Sequence, residues 1–502
     1  MSLNTSKNSQ YENEHLIQNK RNGTTITTAR VPRENDHTTN SGTGADSEKQ
    51  AFLSTEPVRL TPAWEEVNVP DDELNFRTIS TDQANLEMNP PKDRLNLVYW
   101  VILLHGIGIL TPWNMFITAK EYFVDYKLSK EYTGEESMYG TNFLSYVGFA
   151  AQVPGLILNW GNIFINIGGN LTKRIVYSIT ALAIIFLITI LLAMFDTSKS
   201  PGFFFFATMT CVVILNSANG IYQSSVFGLA ATLPSKYSGA VILGCNICGT
   251  ITTLISILTN TLTSNKRTAA IYYFITALFI LLVAFDTYFA LPLNRFYRYH
   301  KMINERESKK HNRDNQKTKI PYFKVYTQAF PQLFNVFFVY FVTLSVFPAM
   351  HADIKMSDPN FFVPQHLYTL ITCFLTFNVT AMIGSSLVSF FTWPSPKYLF
   401  IPVILRALYI PLFIFMNYHP KNIERNLPVY IDNDWAYWII AITLGLTSGY
   451  FGALAMMYVP RKVDQQYSGT AGMFGSAMLV SGILCGVLFS FLGPPIVSRL
   501  PI

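Results

Sequence analysis

The chain has 502 residues, of which 50% are hydrophobic and only 14% are charged, with a formal net charge of +6 at pH 7. Soluble proteins carry roughly a quarter of their residues as charged side chains, so this composition excludes an ordinary soluble globular protein. The basic excess lies in loops that flank apolar runs, which is typical of membrane proteins and gives no sign of nucleic-acid binding.

Residues 1–92 form a polar segment rich in Asn, Thr, Ser and Glu, without a periodic apolar pattern. This composition predicts a disordered tail. Its first 60 residues lack the apolar stretch of a cleavable signal peptide. Within the tail, Glu12, Leu16 and Ile17 fit an acidic dileucine pattern, which is a candidate signal for sorting adaptors.

Beyond Leu95 the chain consists of apolar runs separated by short polar breaks. Each run is about 20 residues long, which suffices for a helix to cross a hydrocarbon core of about 30 Å. The sequence therefore predicts an all-α polytopic membrane protein with about 11 transmembrane helices. The predicted spans are 97–118, 141–165, 174–195, 203–232, 238–262, 269–292, 329–350, 362–391, 397–416, 434–458 and 468–493.

A long basic linker divides these spans into six and five. Residues 293–328 hold ten lysines and arginines against three acidic residues, and such loops face the cytoplasm. Six spans before this linker put the N-terminal tail in the cytoplasm, and five after it put the C-terminus outside. We therefore expect an N-terminal bundle over 93–292 and a C-terminal bundle over 329–502, as in a transporter that rocks two halves around a central site.

The first span carries polar and helix-weakening residues at membrane depth. His105, Gly106, Pro112, Trp113 and Asn114 all lie within it. Polar groups are tolerated inside a bilayer where they face protein or a water-filled cavity. This pattern predicts that the first span lines a solute path.

Other spans place polar or aromatic residues near their middles. Gln152 lies in the second span, Gln223 in the fourth, and Phe374, Asn378 and Ser385 in the eighth. Amides and hydroxyls give directional hydrogen bonds to an uncharged polar solute, and an aromatic ring can stack on a flat one. The same groups also bond helix to helix in membrane bundles, so for any single residue this structural reading stays open.

Signs of catalysis are absent from the sequence. Cys245 and Cys248 form a CxxC pair, but no second pair or nearby histidine completes a zinc site. No HExxH, no GxSxG in a hydrolase setting and no phosphate-binding loop occurs. We expect a protein that is not an enzyme and holds no metal or cofactor.

Several segments together resemble the equilibrative nucleoside transporter family. The first is PKDRLNLVYW followed by HGIGILTPWNMFITAKEYF, and the next is NSANGIYQSSVFGLAATLP. The similarity continues through LPLNRFYRYH, the FPA at Phe347–Ala349, CFLTFN, SGYFGALAMMYVPRKV and the final span. It covers about residues 91 to 493 in order.

This resemblance implies facilitative, bidirectional and sodium-independent transport of nucleosides by alternating access of two bundles in a major-facilitator-like architecture. Because short dileucine matches are common by chance, we expect a lipid-embedded carrier at the plasma membrane, with an endosomal or lysosomal membrane as the alternative if the pattern acts. The positions that match the family's binding cavity are Trp113, Asn114, Ile117, Gln152, Gln223, Phe374 and Asn378. Gln223 would bond the base, and Trp113 would pack against the nucleoside.

The chain departs from the family in the eighth span, where Ala381 and Ser385 replace an Asp and an Arg. We retain Ser385 as a candidate substrate contact. The missing charges leave open a carrier of nucleobases or another small polar solute, or a non-transporting membrane sensor. His105 is an ionisable residue at membrane depth outside the family pattern, and we hypothesise that it makes transport sensitive to pH.

Overall fold

Long apolar helices build most of the chain in the computed structural model, which describes residues 90–134, 143–165, 170–262, 265–314, 320–420 and 423–499. The sorting pattern at Glu12, Leu16 and Ile17 lies outside the described residues, as does the predicted tail up to residue 89. In the described ranges, β structure is limited to two isolated bridges, Ile354 with Tyr418 and Met416 with Ile431.

Eleven helical segments correspond to the predicted spans. They are α1 Leu97–Thr118, α2 Phe143–Phe164, α3 Leu171–Met194, α4 Pro201–Ala231, α5 Lys236–Leu262, α6 Lys266–Ala290, α7 Tyr322–Val346, α8 Thr376–Leu387, α9 Phe400–Phe415, α10 Asp434–Tyr458 and α11 Ser468–Ser490. Helices are expected here because a bilayer offers no water to backbone groups, which must therefore bond within the segment.

Nine helices in the described part of the chain are long and apolar enough to cross a membrane, and α9 is a shorter apolar helix. The protein is therefore an all-α polytopic membrane protein, as the sequence predicts. Helix α2 is not among the nine, so the count of eleven spans stays a prediction. The irregular spans are α8, which is preceded by a π-helical turn over Thr369–Leu375, and α9, which a 3-10 turn over Arg406–Leu408 interrupts.

The basic linker contains a helix where the sequence predicts a loop. Arg295–Asp314 form this linker helix, and α7 then starts at Tyr322, before the predicted boundary at residue 329. Apolar runs do not predict the linker helix, because most of its residues are charged or polar. Lys, Arg and Glu nevertheless favour a helix when the segment packs on other elements. Phe296 and Tyr297 bury their side chains and provide that packing.

The helices pack in pairs within each half of the membrane part. In the N-terminal half α1 lies along α5 and α2 along α4, while in the C-terminal half α7 lies along α11 and α8 along α10. The α1–α5 pair is close because Gly106 faces the Val241 carbonyl and Gly244 faces the Leu103 carbonyl, and a Cβ at either glycine would overlap that oxygen. Contacts between the halves come from α5 with α8 and α10, and from α11 with α2 and α4.

Candidate functional site

A cavity of about 620 Å³ lies between the two halves. Its wall takes residues from α1, α2, α4 and α5 on one side and from α7, α8, α10 and α11 on the other. Lys120 and Glu121, just beyond the end of α1, belong to its lining, so the cavity extends to this end of the helices. We call this end the loop end and the opposite end, which carries the linker helix, the linker end.

Most of the residues singled out from the sequence meet at this cavity. Those in its lining are Trp113, Asn114, Ile117, Gln152, Gln223, Phe374 and Asn378. They come from α1, α2 and α4 in the N-terminal half, and from α8 and the π-helical turn before it in the C-terminal half. The cavity therefore brings together side chains that are far apart in the sequence.

The amides in the lining differ in how much the protein itself uses them. Gln152 and Gln223 make no hydrogen bond to any described residue, so both ends of each amide can bond a solute. By contrast, Asn378 donates through Nδ2 to Thr253 Oγ1 at 3.0 Å and to the Phe374 carbonyl at 2.9 Å. Its nitrogen holds α8 against α5 and is unavailable to a ligand.

An aromatic group forms one part of the cavity wall. Phe347 stacks on Phe377 with ring centroids 3.9 Å apart and an interplanar angle of 14°, and Phe374 meets Phe347 edge-on at 5.8 Å. All three rings line the cavity, next to Pro348. The sequence predicts no site role for Phe347 or Phe377, although the FPA motif contains Phe347.

Ser385 lies outside the cavity lining, contrary to its predicted role as a substrate contact. Its hydroxyl donates to the Ala381 carbonyl at 2.9 Å and accepts from Asn246 Nδ2 at 3.1 Å. Asn246 belongs to α5 and does line the cavity. An uncharged amide–hydroxyl contact thus joins α5 to α8 where the resemblance leads one to expect a charged pair.

His105 also lies away from the cavity. It is buried in α1, with Nδ1 2.8 Å from the Tyr222 hydroxyl and its ring edge-on to Tyr288 at 5.5 Å between centroids. In the described ranges no carboxylate contacts it, and its polar and aromatic partners are tyrosines of α4 and α6. This packing favours a structural role for His105.

The CxxC pair makes contacts between α5 and α1. Cys245 donates to the Gly106 carbonyl at 3.3 Å, and Cys248 Sγ lies 3.5 Å from Asn114 Nδ2. Within the part of the chain that the structure describes, no group of three histidine, cysteine or acidic side chains could hold a metal ion. Both thiols thus lie at the contact between α5 and α1.

The linker end is closed by hydrogen bonds between the halves. Asn304 on the linker helix donates to the Thr232 carbonyl at the end of α4 at 3.0 Å, and it accepts from Gln465, just before α11, at 3.1 Å. Arg461, after α10, donates to Ser235, before α5. One end of the cavity thus reaches the surface of the helices while contacts hold the other end shut.

The loop after α1 folds onto the loop between α3 and α4. Lys127 is buried and donates from Nζ to the Phe195 carbonyl at 2.6 Å, and the Tyr132 hydroxyl donates to the Asp196 carboxylate at 2.6 Å. The hydrogen bond from Tyr132, with further ones from Ser198, lowers the pKa of Asp196 to about 2. These contacts cap the N-terminal half at the loop end.

Known proteins resemble this chain over most of its length. The family described as nucleoside transporter matches residues 209–493. Human equilibrative nucleoside transporter 1 is 27% identical over 450 residues, which cover 80% of this chain and 98% of that protein. Human equilibrative nucleoside transporter 2 is 29% identical with the same coverage, and rat equilibrative nucleoside transporter 3 is 28% identical over 79% of this chain and 90% of its own length.

A solved structure shares the fold. The human organic anion transporter MFSD10 superposes with a TM-score of 0.51 at 13% sequence identity, over 79% of this chain and 94% of that one. At this identity the likeness shows a major-facilitator-like arrangement of helices and carries no information about the solute.

Proposed function

The chain belongs to the nucleoside transporter family, and from that premise we propose that it carries nucleosides across a membrane in both directions, down their gradient and without sodium. The observation that carries this proposal is the cavity between the halves, into which Gln152 and Gln223 present amides that the described residues leave unbonded. Its volume of about 620 Å³ lies within the range of roughly 300–1,000 Å³ typical of small-molecule sites.

The electrostatics of the lining favour an uncharged polar solute. Among the described residues that line the cavity, the charged ones are Lys120 and Glu121 at the loop end, and the interior is made of amides, hydroxyls and apolar groups. A nucleotide would place its phosphates in this uncharged interior, where none of the described lining residues is a cation that could neutralise them, at a large desolvation cost. A nucleoside lacks that charge.

Individual lining residues suit particular parts of a nucleoside. We assign Gln223 to hydrogen bonds with the base, and Trp113 and Ile117 to packing against the nucleoside, because a flat ring gains from aromatic and aliphatic contacts. Gln152 would bond a second polar group, and Phe374 would cover the solute on the loop side. Asn114 and Asn378 would shape the wall, since their nitrogens already contact Cys248 and Thr253.

Transport would follow from alternating access, in which the two halves rock about the cavity. In the observed state the cavity reaches the loop end, while hydrogen bonds through Asn304 and Arg461 hold the linker end shut. Breaking those contacts and closing the aromatic group at Phe347 and Phe374 would expose the solute to the other side. The bundles over 93–292 and 329–502, with the linker 293–328 between them, would be the moving bodies.

The charge of the linker supports a membrane orientation. Its lysines and arginines favour the cytoplasm, which would put the linker end and the N-terminus inside and the C-terminus outside. We propose the plasma membrane as the site of action. The similar proteins do not favour a nucleobase carrier or a non-transporting sensor, and Ala381 and Ser385, which raised these alternatives, lie outside the cavity lining.

The test is uptake of radiolabelled uridine, adenosine and adenine into proteoliposomes that contain the purified protein. We expect saturable uptake of the nucleosides and a several-fold higher KM in Gln223→Leu, because a lost hydrogen bond costs about 0.5–1.5 kcal/mol. The matched control is Ile214→Leu, on the exposed side of the same helix. Saturable uptake of adenine alone, or of none of the three, would overturn the proposal.

A further inference from the structure

A buried arginine without a carboxylate partner lies behind the cavity wall. Arg406 belongs to the 3-10 turn that interrupts α9 and is only 2% exposed. In the described ranges, no aspartate or glutamate forms an ion pair with it. A charged side chain at membrane depth is costly and marks a functional position. Its contacts therefore require an explanation.

Arg406 directs its donors at α7 and α10, the two helices that form the neighbouring wall. Nη1 donates to the Val339 carbonyl at 2.8 Å and Nη2 to Thr343 Oγ1 at 2.9 Å, while Nε donates to Thr447 Oγ1 at 3.2 Å. Carbonyl and hydroxyl oxygens thus replace the missing carboxylate. Of these acceptors only Thr343 lines the cavity.

Thr343 connects Arg406 to a second hydroxyl of the cavity wall. Its Oγ1 lies 3.0 Å from the hydroxyl of Ser448, which also lines the cavity. The guanidinium donates to one lone pair of Thr343, and the Thr343 hydroxyl donates its own proton to the Val339 carbonyl at 2.7 Å. The Ser448 hydroxyl therefore donates to the second lone pair of Thr343, which leaves the Ser448 oxygen as an acceptor at the cavity wall.

We propose that Arg406, Thr343 and Ser448 form a hydrogen-bond relay that fixes the Ser448 hydroxyl as an acceptor for a donor group of the transported solute. Either a ribose hydroxyl or an N–H of the base would supply such a donor. Ser448 and Thr343 determine specificity, and Arg406 is a positioning residue. The inference rests on the proposed function, and it gives the cavity wall an oriented acceptor without placing a charge inside the cavity.

The test measures KM and maximal rate of uridine uptake in proteoliposomes for Ser448→Ala and Thr343→Val. Each change should raise KM about fivefold to tenfold, and the double variant should be little worse than either single one, because both remove the same oriented acceptor. Thr343→Ser keeps the hydroxyl and should restore the original KM. The matched control is Thr447→Val, which also loses a bond to Arg406 but lies outside the cavity lining and should leave KM unchanged.

Uridine analogues identify the donor group of the solute. If the ribose is the donor, Ser448→Ala should no longer matter for one of the 2′-, 3′- or 5′-deoxyuridines, and if the base is the donor it should no longer matter for 3-methyluridine. An unchanged KM in Ser448→Ala and Thr343→Val, or an equal rise in Thr447→Val, overturns the relay while the proposed function stands. Failure of the wild-type protein to carry any nucleoside overturns the proposed function itself and the relay with it.

Discussion

Asn304 on the linker helix offers a direct way to disturb the closed linker end. Its side chain joins the Thr232 carbonyl of the N-terminal half to Gln465 of the C-terminal half, at 3.0 and 3.1 Å. Asn304→Ala removes both bonds. Each is worth about 0.5–1.5 kcal/mol, and the one to Gln465 is exposed and belongs at the lower end of that range. The closed state should lose about 1–2 kcal/mol, a factor of roughly 5–30 in its population relative to the open state.

The assay for this shift uses a thiol that the cavity already contains. Cys245 lies in the lining, so a membrane-impermeant thiol reagent can reach it from the linker side only when that end opens. We expect Asn304→Ala to speed its labelling from the linker side several-fold in a Cys485→Ser background. Glu307→Ala, an exposed change one turn further along the same helix, is the control. Equal labelling rates in Asn304→Ala and wild type would refute the bridging role of Asn304.

Three further changes test separate parts of the structure. His105→Gln should leave the pH profile of uptake unchanged, because His105 is buried away from the cavity; a displaced profile would revive the pH-sensing hypothesis. Gly244→Val should abolish folded protein in detergent, as judged by size-exclusion chromatography, because the side chain would overlap the Leu103 carbonyl; a normal elution profile would contradict the close approach. Tyr132→Phe should lower Tm more at neutral pH than below about pH 3. Hydrogen bonds hold the pKa of the Asp196 carboxyl at about 2, so the ionised carboxylate stabilises the folded state above the usual pKa of an aspartate, and this contribution is lost as the pH falls towards 2. An equal loss of Tm at both pH values would contradict this.

The helical fold follows closely from the sequence, because apolar runs of membrane length leave the backbone few alternatives. The linker helix does not follow, since its sequence has no apolar run and its helix depends on packing through Phe296 and Tyr297. The break in α9 at Arg406 is equally invisible in the pattern of apolar residues. Both features depend on tertiary contacts.

The cavity could be anticipated only in part. Trp113, Gln152 and Gln223 stood out because amides and a tryptophan are unusual at membrane depth, and all three line it. Thr343 and Ser448 did not stand out, since single hydroxyls in apolar helices occur as often in plain helix contacts. Ser385 is the opposite case, because the sequence favours it as a substrate contact, yet its hydroxyl bonds α5 to α8 outside the cavity lining. Which hydroxyl faces a solute depends on helix rotation, which the sequence does not fix.

The most direct test of facilitative transport is the internal uridine concentration at which net uptake stops. In proteoliposomes with the wild-type protein, internal uridine should rise until it equals the external concentration, and a sodium gradient should change neither that level nor the rate. Preloaded uridine should leave at a comparable rate when the gradient is reversed. Accumulation above the external concentration, a requirement for sodium, or the absence of protein-dependent uridine flux would contradict facilitative nucleoside transport through the cavity between the two halves.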